Sequence, residues 1–314
     1  MLTRRHIRAK VMQSVYAFVQ SGRDNITVEQ NNMLKSIDNI FDLYLLLLDL
    51  VVEVVEWDKS MINKKKNRLS QRDRIPAVDE LLANNLFVEK LAHNTVLQQN
   101  LEDKSLGWKN HDEYLQILLK DIKESDLYSK YIAREKHTFK SDKNFIIDVF
   151  KEILATNEKL HEFFESENIS WIGDISVANS MAVKSLTLIF EDSEDDQHLM
   201  KLYKDNEDRE FAIDLFTKTV ANAGKFSDLV AEKTPGWDAE RIAQLDLIMM
   251  QMAVCEFMKF SSIPTKVTIN EYLELSKDFS TPKSKVFING VLDKLWRDLD
   301  KDGEIKKSGR GLVQ

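Results

Sequence analysis

Glycine, proline and cysteine are scarce in this chain of 314 residues: nine, four and one. Gly303, Gly309 and Gly311 fall within the last dozen positions, so ten glycines and prolines punctuate everything before them. All-β sandwiches and barrels need far more turn residues than that, which excludes them. A single cysteine excludes an internal disulfide framework and a cysteine cluster for zinc, and fits a cytoplasmic setting. Long uninterrupted apolar runs are missing too. The most apolar stretch, Tyr44 to Trp57 (YLLLLDLVVEVVEW), is broken by Asp49 and Glu53. It is too short and too charged to span a bilayer and reads as a buried helix. No apolar signal-peptide segment follows the basic first ten residues. Neither a GxxxxGK(S/T) phosphate loop, a GxGxxG fingerprint nor an HExxH motif occurs, and the six histidines lack metal-ligand spacing. No cofactor and no metal are therefore expected, and catalysis is not the favoured reading. Cys255, within MQMAVCEFM, reads as a small core hydrophobe.

What the sequence does contain is helical periodicity. A hydrophobic fraction of 43% argues against global disorder. The apolar spacing predicts helices over 3–21, 28–67, 77–101, 109–123, 125–137, 141–168, 174–190, 206–232, 238–260, 267–279 and 282–300. Thr281-Pro282 places a capping residue before proline at a first helical position, and Ile75-Pro76 opens another helix in the same way. Pro235-Gly236 separates two periodic segments. The fold class is all-α.

The net charge of −8 discourages a nucleic-acid reading until its distribution is considered. Residues 1–23 hold five Lys or Arg and no acid; residues 59–74 hold seven basic residues and one acid; residues 191–196 (EDSEDD) hold five acids. On a helical wheel Arg4 and Arg8 fall on the same arc as Ile7, Val11, Val15, Phe18 and Val19, with Arg5 beside them. The simplest geometry has the first turn overhanging a bundle, presenting three guanidiniums that can grip phosphates. The plainer alternative is a frayed basic terminus. Residues 238–260, with Ile242 and Leu245 near their start, are apolar nearly all round the wheel, which marks a central helix. Glu256 projects into that apolar surface and must be paired, hydrogen-bonded or protonated. Lys283, Ser284 and Lys285 occupy the first turn of the last helix, where free N–H groups and the dipole favour a phosphate, with Phe287 near enough to stack on a base. Alternatively Phe287 is core and the lysines are a solvated face.

RRHIRAKVMQSVY (4–16), AVCEF (253–257), IPTKVTINEYLELSKDF (263–279) and SKVFINGVLDKL (284–295) together resemble the NusB transcription antitermination family. The resemblance covers about 207–296 plus the first helix, roughly a third of the chain. It implies two small helical subdomains and binding of boxA-type single-stranded RNA from ribosomal-RNA leaders, together with the ribosomal protein that doubles as NusE and the elongation complex. The RNA-binding residues it implies are Arg4, Arg5, Arg8, Ser284, Lys285 and Phe287, with Lys283 alongside. Asn270, Glu271, Asn289 and Gly290 match positions that are mainly architectural. This sequence departs from the family pattern at His6, Gln251, Cys255 and Lys283.

The expected organisation is a basic first helix (1–24), an inserted helical domain (25–205), a C-terminal NusB-like domain (206–300) and a disordered tail (301–314). The leading expectation is a non-enzymatic RNA-binding adaptor in antitermination and ribosomal-RNA synthesis or maturation. A helical protein-interaction scaffold without RNA binding is the alternative. The RNA-binding domain of a ribosomal-RNA cytosine methyltransferase is a weaker third reading, since no α/β cofactor domain follows. The basic run 59–74 reads as a solvated inter-helix segment or a secondary RNA contact. The sequence leaves the oligomeric state and the role of the insertion open.

Overall fold

The computed structural model describes residues 1–68, 76–197, 199–234 and 243–312. Among these, fourteen α-helices and no strand occur, so the all-α expectation holds. In chain order they are α1 (Arg4–Ser21), α2 (Ile26–Arg68), α3 (Leu86–Ala92), α4 (Thr95–Lys104), α5 (Asp112–Lys123), α6 (Asp126–Ile132) and α7 (Phe139–Val149). Then come α8 (Glu158–Glu167), α9 (Ile175–Leu188), α10 (Asn206–Ala221), α11 (Ala223–Lys233), α12 (Gln244–Lys259), α13 (Thr265–Phe279) and α14 (Pro282–Lys301). The expected Pro235-Gly236 break, the start of the 238–260 helix with Ile242, Ile75, the 69–74 part of the basic run, His198 and the last two residues lie outside the described residues.

Two compact units divide the chain. One comprises Asp38–Leu202 with Met1; the other comprises Leu2–Ile37 and Tyr203–Gln314. The sequence leads to boundaries at 24/25 and 205/206, whereas the units divide after Ile37 and Leu202, so the first turns of α2 belong to the second unit.

In the first unit the apolar run of α2 is buried as expected: Leu43, Tyr44, Leu45, Leu47, Leu48 and Leu50 are sealed from solvent. Indole N–H groups tie surrounding segments to it, Trp108 donating to the Leu46 carbonyl and Trp171 to the Asn39 carbonyl, at 3.0 and 2.8 Å. Several long expected helices are split. Asn85, Asn94 and Asn157 each accept a hydrogen bond from a backbone N–H three residues on and so start a new helix. Asn222 likewise lies between α10 and α11.

In the second unit α12 is the central helix, packed against α1, α10, α11, α13 and α14. Its Ile248, Met249, Met250, Met252, Val254, Cys255 and Phe257 are all buried, the outcome expected of a helix apolar on every side. Gln251 uses its amide to reach the Ala223 carbonyl and Ser227 Oγ on α11. Burial pushes the Cys255 thiol up to about 12, which leaves it an inert core group. Thr3 caps α1, with His6 returning the bond to the Thr3 N–H; Gly22 ends it at φ 61°. At the other end Thr281 and Pro282 open α14 as expected.

The segment after α14 differs from the expectation of a disordered tail. Lys307 Nζ donates to the Glu256 and Phe260 carbonyls at 3.0 and 2.9 Å, adding a charged donor to acceptors that also take the Phe260 and Ile263 N–H groups. The Ser308 N–H donates to the Ser261 carbonyl at 3.0 Å. Gly309 adopts φ 56°, and a Cβ on Gly311 would lie 1.9 Å from the Ser261 carbonyl oxygen. Backbone meets backbone there, so a side chain cannot be absorbed by rotation. Gly311→Ala is expected to release the segment at a cost of about 1–2 kcal/mol. Hydrogen exchange at the Ser308 amide should then accelerate about tenfold; wild-type protection in the variant contradicts the seating.

Candidate nucleic-acid interface

The three arginines of α1 are neutralised by acids distant in sequence, and each to a different degree. Arg8 is buried, its side chain 3% exposed, and its guanidinium grips Glu256 through two bonds of 2.7 and 2.8 Å. Arg5 makes the same fork with Glu271 on α13, at 3.0 and 2.8 Å, but stays 42% exposed. Arg4, 37% exposed, donates to Asp208 on α10 at 3.0 Å and lies over the Phe211 ring. The expected overhang of the first turn is therefore corrected. The first turns of α1 are held against the bundle because α10, α12 and α13 supply carboxylates. It is the last turn that stays open, Val19 of the expected stripe being 46% exposed. Arg8 belongs to the core rather than to the surface.

Glu256 is fully buried, and the sequence expectation that it needs partners is met four times over. Besides the two Arg8 bonds, Tyr272 and Thr268 donate their hydroxyls to it at 2.7 and 3.2 Å. Burial opposes the charge on Arg8, but the Glu256 charge and hydrogen bonds outweigh it and hold the guanidinium above its ordinary pKa. Burial, then the neighbouring Glu256 carboxylate, pushes the Tyr272 hydroxyl well up, so it remains a donor.

The last helix reaches the same face through α13. Lys283 is exposed and Lys285 half-buried at the start of α14, while Ser284 turns inward to Ser280 and Thr281. Ser284 donates its N–H to the capping Thr281 hydroxyl, and its own hydroxyl is taken. Phe287 is half-buried. Glu274 on α13 feels both ends of the surface: the Lys277 hydrogen bond holds its carboxyl below the usual range, and Arg5 and Lys285 add their charges. The charges of Arg5 from α1 and Lys285 from α14 therefore both reach Glu274 on α13.

A groove of about 680 Å³ runs beside the arginines, lined by Thr3, Arg4, Arg5, Ser262, Pro264 and Val267 among others. Thr3, Ser262 and Val267 were missed by sequence reasoning. Only the 45% exposure of Val267, an apolar residue left outside the core, marks them, and exposure is not written in the sequence. Among the described residues no three His, Cys, Asp or Glu side chains form a metal-holding group, and no helix is long and apolar enough to cross a membrane.

A model of the NusB family matches residues 176–297. The chain is 37% identical to the transcription antitermination protein NusB of Salinibacter ruber over 112 residues, 36% of this chain and 70% of that protein. Over 105 residues it is 33% identical to the protein of that name from Chloroherpeton thalassium, 33% of this chain and 50% of that one. The counterpart from Koribacter versatilis is 40% identical over 102 residues, again covering 70% of the relative. No solved structure matches the chain. The family match begins in α9, upstream of the boundary expected at 205/206, and takes in the acidic stretch 191–196. It runs on through the buried Glu256 and both cation-bearing ends of α13, and with a relative this similar over most of its own length, the chain belongs to the NusB family.

Proposed function

We propose that this protein is a non-catalytic, cytoplasmic RNA-binding adaptor in transcription antitermination, engaging boxA-type single-stranded RNA together with the ribosomal protein NusE. The observation that supports this reading is that the charges of Arg5, which lines an open groove, and of Lys285, from the start of α14, both act on Glu274 of α13. Arg4, Arg5, Lys283 and Lys285 supply the phosphate contacts and Phe287 the stacking contact. Ser284 positions the first turn of α14, and Arg8 positions α1.

Arg4 and Arg5 already have carboxylate partners, but partly exposed ion pairs are worth only about 0–1 kcal/mol. A guanidinium has five donors, and the Glu271 fork takes two of those on Arg5. A phosphate can therefore share or displace these acids. It cannot compete for Arg8, which is sealed against Glu256.

The test is the salt dependence of binding to a boxA-type oligonucleotide. An Arg4→Ala/Arg5→Ala variant should bind about tenfold more weakly at ~0.15 M salt, with the slope of log K against log salt shallower by about 1.4 for two lost contacts. Wild-type affinity in that variant would sink the assignment. The scaffold reading draws its support from the acids that already occupy Arg4 and Arg5. A wild-type protein that captures protein partners but no RNA, alone or with NusE, would favour it.

A further inference from the structure

The basic end of α2 is not absorbed by the interface above. α2 stays packed to Ile62, which is buried; from Asn63 to Asn67 every residue is exposed. The helix thus runs more than a turn beyond its packing, carrying Lys64, Lys65 and Lys66. Lys59 and Lys66 pair with Glu56 and Glu80 at 3.0 and 2.8 Å. Among the described residues no carboxylate pairs with Lys64 or Lys65. Lys64 instead lies 5.5 Å from the centre of the Trp57 ring.

Trp57, Met61 and Lys64 are spaced i, i+4, i+7 and so share one strip of the helix. Met61 is 46% exposed and Trp57 half-buried on that strip. Cations in the last turn of a helix are ordinarily explained by its dipole, whose effect fades within that turn. Such an explanation covers Lys65 and Lys66; it does not cover the half-buried aromatic and exposed thioether groups leading up to them. Paired lysines beside a flat ring on a solvent-facing strip match a chemistry that combines phosphate contacts with base stacking.

We propose that the end of α2, through Trp57, Lys64 and Lys65, is a second contact for single-stranded RNA, gripping nucleotides that flank the element bound by the α1–α13–α14 surface. This rests on the reading of the protein as an RNA-binding adaptor. It gives the first unit a function: lengthening the stretch of RNA that one molecule holds.

The full chain is titrated with two oligonucleotides, the boxA-type element alone and the same element with unstructured uridine-rich extensions of about twenty nucleotides. Wild type should bind the extended RNA about tenfold more tightly, with a salt slope steeper by about 1.4. Lys64→Glu/Lys65→Glu should abolish that gain and leave the short RNA bound as before. Lys64→Gln/Lys65→Gln, which preserves helix propensity, should reduce the gain in the same direction. Trp57→Phe should remove quenching of tryptophan fluorescence by the extended RNA. An extended-RNA gain unchanged in both lysine variants overturns the proposal. So does binding of the wild-type patch to phosphatidylglycerol vesicles with no extended-RNA gain. If wild type fails on the short element, the antitermination reading falls by itself. The uridine-rich extension is then titrated alone, and binding lost in the lysine variants still supports the patch, whereas no binding overturns it.

Discussion

Replacing Glu256 by alanine is expected to lower the free energy of unfolding by about 3–5 kcal/mol, the range for removing one partner of a buried ion pair. Arg8, 2% exposed as a residue, would be left facing a cavity with only Glu271, 3.6 Å away and already gripped by Arg5, as a counter-charge. It cannot escape by losing its proton, because a guanidinium remains charged at any pH the fold survives. Tyr272 and Thr268 would lose this acceptor for their hydroxyls at the same time. Arg8→Met with Glu256→Leu should cost much less than either single removal, since both charges then leave together; the orphaned Tyr272 hydroxyl accounts for what remains, as Thr268 keeps the Pro264 carbonyl at 3.4 Å. Arg8→Lys should fall near the single removals, as an ammonium cannot reproduce the two-bond fork. Urea unfolding of the four proteins decides it, and a loss under about 1 kcal/mol in Glu256→Ala would refute the argument. Any fall in RNA affinity in an Arg8 variant reports a displaced α1, and therefore does not count as a lost phosphate contact.

The same residue shows how far a sequence can be read. Glu256 in an apolar helix announces the need for a partner, because an unpaired buried carboxylate is untenable. The partner is 248 positions away and was itself placed on the surface. Local charge counting led to that error: residues 1–23 contain no acid, yet Asp208, Glu256 and Glu271 all meet them in space. The all-helical class and the central α12 were legible because periodicity and the shortage of glycine are local properties. The helix breaks at Asn85, Asn94 and Asn157 were equally local, yet an asparagine inside a periodic run looks like any polar residue until its side chain is seen accepting from the backbone. The seat of the C-terminal segment depends on Lys307 reaching the end of α12, a tertiary fact that the composition of the segment hides.

Asp49→Asn is expected to stabilise the protein at pH 8 and to leave it unchanged near pH 3. Asp49 lies within the apolar run of α2 and is 8% exposed. Burial pushes its carboxyl up to about 7, and the charge of Glu53, one turn along, pushes in the same direction. In the unfolded chain an aspartate titrates near ~3.9. Below that value both states hold the proton and pH does not distinguish them. Between about 4 and 7 the unfolded chain releases a proton that the folded chain keeps, so stability falls as pH rises, by up to about 1.4 kcal/mol per pH unit. Above about 7 both states are ionised and the accumulated loss levels off near ~4 kcal/mol. Glu53, itself shifted upward by burial, adds to the fall. Asparagine has nearly the same shape and no proton to lose, so the variant should lack most of that slope and melt at a higher temperature than wild type at pH 8. Parallel pH profiles for the two proteins would show that Asp49 ionises freely in the fold. The two acids that disqualify Tyr44 to Trp57 as a membrane span thus weaken the buried helix at neutral pH, and the unit that holds it should be most stable in mild acid.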